Sequence, residues 1–171
     1  MDIVNIPSKF GRDNNKPKKI VIHAIAEFIR IDKSASKWYA DQGKNIPVGD
    51  YYAVDWLKML GLSAHVFVTP SGLNIVTRSD MKQAFHAGVH NKDSLGIEFM
   101  VSGVHDYGSF LDAMKYEYLT SGQYFAGLAM VKHWMDRWNI DKENVYMHSE
   151  LDSNKKDPDV GFINSDFLDE L

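Results

Sequence analysis

Pro70-Ser71-Gly72 sits between two short apolar runs, 63–69 and 73–77, and constrains the fold more than any other stretch. So tight a turn leaves no room for a crossover, so the two runs must pair antiparallel as a hairpin. Elsewhere, strand-like runs alternate with helix-like ones. Residues 19–26 are rich in Ile and Val, follow a polar stretch and read as a buried strand. Residues 95–101 read as a second strand ending at Ser102-Gly103, and 144–147 as a third. Residues 34–42 have helical propensity with Gly43 as a stop, and 52–60 predict a short helix ended by Gly61. The clearest helix spans about 121–139. Thr120 and Gln123 offer a capping box, and Tyr124, Leu128, Val131, Met135 and Trp138 recur at three- and four-residue spacing. Alternation broken by a hairpin predicts the α/β class: a mixed central β-sheet flanked by helices.

The 171 residues show no internal repeat, low-complexity tract or linker. They predict a single domain over 1–171, with the polar first nineteen residues as an N-terminal arm across its surface. A chain this long buries roughly 70% of its unfolded surface without staples. The hydrophobic share of 44% and charged share of 25% are ordinary globular values, which exclude disordered and fibrous classes. A net charge of −4 gives no electrostatic footprint for nucleic acid or an anionic membrane. The absence of cysteine removes disulfides and thiolate ligands. No apolar run approaches the 18 or so residues a spanning helix needs. Lys16-Pro17-Lys18-Lys19 before an apolar run imitates a signal peptide, but His23 and Glu27 interrupt that pattern, and the run reads as a core strand.

Chemistry concentrates near the C-terminus. His148-Ser149-Glu150-Leu151-Asp152-Ser153-Asn154-Lys155-Lys156-Asp157-Pro158 places an imidazole, ammonium groups and carboxylates within a loop-like sequence. His23 follows Ile20-Val21-Ile22 at a predicted strand, where its side chain can converge with that of His148 on one cleft. Two imidazoles and one carboxylate make a three-ligand zinc site with an open fourth position. Asp157 and Asp152 compete for the third place, and either Lys155 or Lys156 can face inward. Glu98, in an otherwise apolar strand, carries a desolvation cost unless it is paired or functional, and beside a metal site it is a general-base candidate. This set reads as a metal-assisted hydrolase. His86 and His90, four apart, could share a helix face, but Gly88 lies between them. His65 either points into the cleft or hydrogen-bonds within the core, while His105 and His133 read as surface residues.

Taken in order, five segments make the chain resemble the zinc-dependent N-acetylmuramoyl-L-alanine amidases of type 2, which include phage lysozyme-like amidases and peptidoglycan recognition proteins. They are Ile20-Val21-Ile22-His23, Leu62-Ser63-Ala64-His65-Val66-Phe67-Val68, Ala84-Phe85-His86-Ala87-Gly88, Asn91 to Ser94-Leu95-Gly96-Ile97-Glu98, and His148-Ser149 to Lys155-Lys156-Asp157-Pro158. The resemblance implies that His23, His148 and Asp157 hold Zn2+ in a surface groove. It implies that Glu98 and Lys155 are catalytic and that His65, Phe85 and His86 line the groove. The implied reaction is hydrolysis of the amide between N-acetylmuramic acid and L-alanine in peptidoglycan. Ala24 departs from the polar residue many relatives carry after the first ligand, and the 88–94 stretch is short, which favours intact wall as substrate. A phage endolysin or bacterial autolysin is expected: a monomer without signal peptide, cytoplasmic in the producing cell and acting on the wall after release. The competing expectation is a non-catalytic peptidoglycan-binding module.

Overall fold

The computed structural model describes residues 2–163 and 165–171. Among the described residues there are nine strands: β1 (Ile3–Asn5), β2 (Arg12–Asp13), β3 (Lys19–Ile31), β4 (Gly49–Tyr52), β5 (Val66–Val68), β6 (Asn74–Val76), β7 (Lys82–Gln83), β8 (Ser94–His105) and β9 (Val145–Met147). The helices are α1 (Lys33–Asp41), α2 (Ala53–Leu60), α3 (Tyr107–Ala113), α4 (Ser121–Trp138), α5 (His148–Leu151) and α6 (Val160–Ile163).

The expected hairpin forms, with β5 and β6 antiparallel. The ladder stops short of the turn, where side chains take over. Thr69 Oγ1 accepts from the Leu73 N–H at 3.1 Å and pairs with Ser71 Oγ at 2.8 Å. Gly72 has φ of 83°, and a Cβ there would lie 2.7 Å from the Gly122 carbonyl oxygen. The turn therefore abuts the start of α4, and only glycine fits both the conformation and the space.

β3 and β8 form the parallel centre of a mixed seven-stranded sheet. β5 lies parallel beside β8, followed by β6 and then β1, which joins β6 in parallel. On the other flank of β3, β9 pairs in parallel with residues 20–22 and β4 antiparallel with residues 28–31. β2 and β7 make a separate two-stranded ladder. The stretch read as an N-terminal arm thus supplies a sheet-edge strand and half of that small ladder. Both central strands outrun the apolar segments that announced them. Gly103, which resembles a stop signal, has φ of 97° and sits where the β3–β8 register slips between Ala26 and Phe28. Glu27 Oε2 accepts its N–H at 3.0 Å. This is a bulge, beyond which pairing resumes.

Alternation along β3 and β8 sorts side chains onto two faces. Ile20, Ile22, Leu95, Ile97 and Phe99 pack against α4, Phe162 and Phe167. Ile25, Phe67 and Met100 pack against Val54, Trp56 and Leu57 of α2. The capping box of α4 is formed, but its deepest face is Gln123, Ala126, Gly127, Met130, Val131 and Trp134. The larger residues Tyr124, Leu128, Met135 and Trp138 flank this face, partly buried. Small residues hold the centre because the Phe99 ring presses on the helix. A Cβ on Gly127 would lie 2.3 Å from Phe99 Cζ. Among the described residues no helix is long and apolar enough to cross a membrane.

Candidate metal and catalytic site

Strand register brings the first two candidate ligands together. Ile22 and Met147 are Cα partners, so the next residues, His23 on β3 and His148 at the start of α5, stand side by side. The loop after α5 returns Asp157 to them, pinned where the Ser149 N–H donates to the Asp157 carbonyl at 3.0 Å. His23 Nδ1 and His148 Nδ1 are 2.9 Å apart, and they lie 3.3 and 3.1 Å from the same oxygen, Asp157 Oδ2. Asp152, the rival carboxylate, instead closes a local turn, its Oδ1 accepting from the backbone and side-chain nitrogens of Asn154 at 3.0 Å.

This triad fits a metal ion. Ligands 2.0–2.1 Å from a tetrahedral zinc stand about 3.3 Å from one another, close to the three separations here. Two imidazole nitrogens 2.9 Å apart cannot both carry hydrogen, so at least one lone pair is presented to the space they share. The donor set of two buried imidazoles and one carboxylate is a borderline-soft, zinc-like combination. Burial lowers the affinity of His23 for a proton, which favours the neutral ring a metal requires. Burial opposes ionisation of Asp157, but the His148 and His23 imidazoles beside it outweigh that and hold the carboxyl well below the usual range.

Glu98 lies one strand away, 6% exposed. Burial raises its proton affinity well above the ordinary carboxyl value, the Asp157 charge adds to the effect, and the Lys155 ammonium partly offsets it. Lys155 itself is solvent-exposed, as is Lys156.

The residues expected to line the groove occupy different depths. His65 is fully buried just before β5, with Nδ1 accepting from the Gly96 N–H at 2.9 Å and Nε2 donating to the Lys82 carbonyl at 2.8 Å. Of the two positions the sequence left open for it, the structure takes the core. Burial drops its pKa to about 4. His86 is half-buried, and its Nδ1 lies 2.9 Å from His23 Nε2. Burial, then the neighbouring imidazoles, push its pKa well below the ordinary value. No helix joins His86 to His90; residues Gly88–Lys92 form a 3-10 turn, and His90 faces Lys19. Phe85 is half-buried beneath the Arg12 guanidinium, 5.9 Å from the ring centroid.

Two neighbours were assigned no role from the sequence. Ser94 opens β8 and reaches His86 Nε2 with its hydroxyl at 3.1 Å. Tyr118, between α3 and α4, buries a phenol oxygen with no hydrogen-bond partner among the described residues; burial, with the charges of Asp157, Asp159 and Glu98, pushes its pKa up. A cleft of about 310 Å³ lies elsewhere, lined by Ile3, Val76, Met130 and Trp134 among others. It contains none of the triad residues.

Comparison with known proteins identifies the family. The sequence matches the family described as N-acetylmuramoyl-L-alanine amidase over residues 13–160, and the chain belongs to that family. Solved structures with a similar fold include the endolysin N-acetylmuramoyl-L-alanine amidase LysCS from Clostridium intestinale URNW, at 16% identity and TM-score 0.61, covering 96% of this chain and 93% of that one. A selenomethionine derivative of AmpD aligns at 21% identity and TM-score 0.70, over 99% and 94% of the two chains. The complex of tracheal cytotoxin with the ectodomains of peptidoglycan recognition proteins LCa and LCx aligns at 14% identity and TM-score 0.60, over 94% and 92%. A search of curated protein sequences returns no match.

Proposed function

We propose that this protein is a zinc-dependent amidase that hydrolyses the bond between the lactyl group of N-acetylmuramic acid and L-alanine in peptidoglycan. The observation that carries the reading is the convergence of His23 Nδ1, His148 Nδ1 and Asp157 Oδ2 within 3.3 Å. Membership of the amidase family supplies the substrate class. Zinc, when bound by His23, His148 and Asp157, supplies Lewis-acid polarisation and acidifies water.

Glu98 accepts the proton of the attacking water as its oxygen bonds to the carbonyl carbon. Its raised proton affinity then suits it to deliver that proton to the departing L-alanine nitrogen as the C–N bond breaks. Lys155, exposed at the rim, donates to the oxyanion that develops on the carbonyl oxygen. Phe85 and His86, both half-buried, line the groove that receives the glycopeptide.

We read residues 1–171 as one catalytic domain acting as a monomer on the wall, as an endolysin or autolysin does. The endolysin title of LysCS supports that setting. The recognition-protein neighbour supports the rival reading, a module that binds the wall without cutting it. Sedimentation with insoluble peptidoglycan, together with loss of wall turbidity, separates the two. Clearing of the suspension is expected; stable co-sedimentation with no clearing over hours would overturn the enzymatic reading.

A further inference from the structure

Beyond the triad, the hydrogen bonds run inward along a fixed direction. Ser94 Oγ lies 2.7 Å from the His90 carbonyl, which only accepts, so the single hydroxyl hydrogen is spent there. Ser94 Oγ must then accept from His86, making His86 Nε2 the protonated nitrogen at 3.1 Å. A neutral imidazole carries one ring hydrogen, which leaves His86 Nδ1 as an acceptor. His23 Nε2 faces it at 2.9 Å and must donate. The hydrogen of His23 is thereby placed on Nε2, and its Nδ1 is left bare toward His148 and Asp157.

Resting on the metal-site reading above, we infer that His86 and Ser94 are positioning residues that lock His23 in the tautomer whose Nδ1 lone pair is offered to the metal. The seat of His86 is built for this. Gly96, opposite its ring, has no room for a side chain, since a Cβ would lie 2.6 Å from His86 Cγ. Asn91 Oδ1 accepts from the backbone N–H groups of His86 and Ala87 at 3.0 and 2.6 Å, fixing the main chain that carries the ring. Ser94 is fully buried, so water does not compete for its hydroxyl. Such outer hydrogen bonds typically change metal affinity by about 10–100-fold when removed.

The test reads tautomer and metal binding, without wall substrate. In nitrogen-15 spectra of metal-free wild-type protein, His23 is expected with hydrogen on Nε2; hydrogen on Nδ1 would overturn the inference. Zinc affinity, measured by competition with a chromogenic chelator, is expected to fall about 10–100-fold in His86→Leu. His86→Asn, whose Oδ1 can stand in for the accepting Nδ1, should recover much of that loss. Wild-type affinity in His86→Leu would also overturn the relay. Ser94→Ala removes one hydroxyl and gives the same reading if His86→Leu does not fold. A protein with the expected tautomer and affinities that cuts no wall would defeat the amidase proposal while sustaining the relay. Failure of the wild type to bind zinc would defeat the metal site, and the tautomer spectrum would still decide the relay.

Discussion

His23 and Glu98 are Cα partners in the parallel ladder between β3 and β8. Partners in a ladder point to the same face, so a proposed metal ligand and a buried carboxyl share one surface of the central sheet. The same face of β8 carries Ser94 and Gly96, four and two residues before Glu98. One strand therefore holds the general-base candidate, the close approach that seats His86, and the hydroxyl that orients it.

Glu98→Gln keeps the shape of this side chain and removes its ability to cycle a proton. Turnover is expected to fall by about 10²–10⁴-fold, the usual range for a positioned acid–base group. Bound zinc, measured by metal analysis, should stay at the wild-type level because Glu98 is outside the triad. Loss of zinc together with activity would place Glu98 among the ligands instead.

The pH dependence of stability has a defined sign in chelator-treated protein. His65 is held neutral by burial with a pKa near 4, against 6.5 for an ordinary histidine. Its contribution is complete above pH 6.5 and is lost as pH falls toward 4, because only the unfolded chain takes up the proton in that window. At about 1.4 kcal/mol per pKa unit this is a loss of roughly 3 kcal/mol. His23 and His86, also lowered by burial, act in the same direction, whereas Glu98, raised by burial, acts in the opposite one. Urea unfolding of Glu98→Gln between pH 7 and 4 isolates the histidine slope; stability of that variant that stays flat or rises over this range would contradict the buried, neutral His65.

Gln123 contributes to stability in a way its capping role does not capture. Besides its reciprocal contact with Thr120, its Nε2 donates to the Val68 and Met100 carbonyls at 3.2 and 2.7 Å inside the core. Gln123→Leu leaves both buried carbonyls without that donor, and such groups cost about 1–3 kcal/mol each. A destabilisation of about 2–4 kcal/mol is expected in denaturant unfolding. A change near zero would mean that Val68 and Met100 find other donors.

How far the sequence discloses this molecule depends on the range of the interaction involved. The hairpin at Pro70–Gly72, the central strands and the capping box of α4 are local signals, and all three are present. The ends of β3 and β8 are not local. Gly103 looks like a stop but is a bulge because β3 continues beside it. The stripe read on α4 favours large apolar residues, whereas packing against Phe99 places Ala126 and Gly127 deepest. The short strands β1 and β2 arise within a polar segment with no periodicity to mark them. In the site, strand ends point to His23 and His148, but only His148 stands at one; His23 lies inside β3, which runs on to Ile31, and only the family resemblance chooses Asp157 over Asp152. What separates them physically is that Asp152 is engaged by Asn154. Ser94 lies in a family segment but its role is not legible there, since that role depends on a fold-brought contact with His86.

The most direct test of the account is mass spectrometry of soluble fragments after purified peptidoglycan is incubated with zinc-loaded and with chelator-stripped protein. Zinc-dependent release of intact stem peptides with a free L-alanine amino terminus, and glycan strands left uncut, is the expected result. Cleaved glycan, cuts within the stem peptide, or equal release without the metal would contradict it.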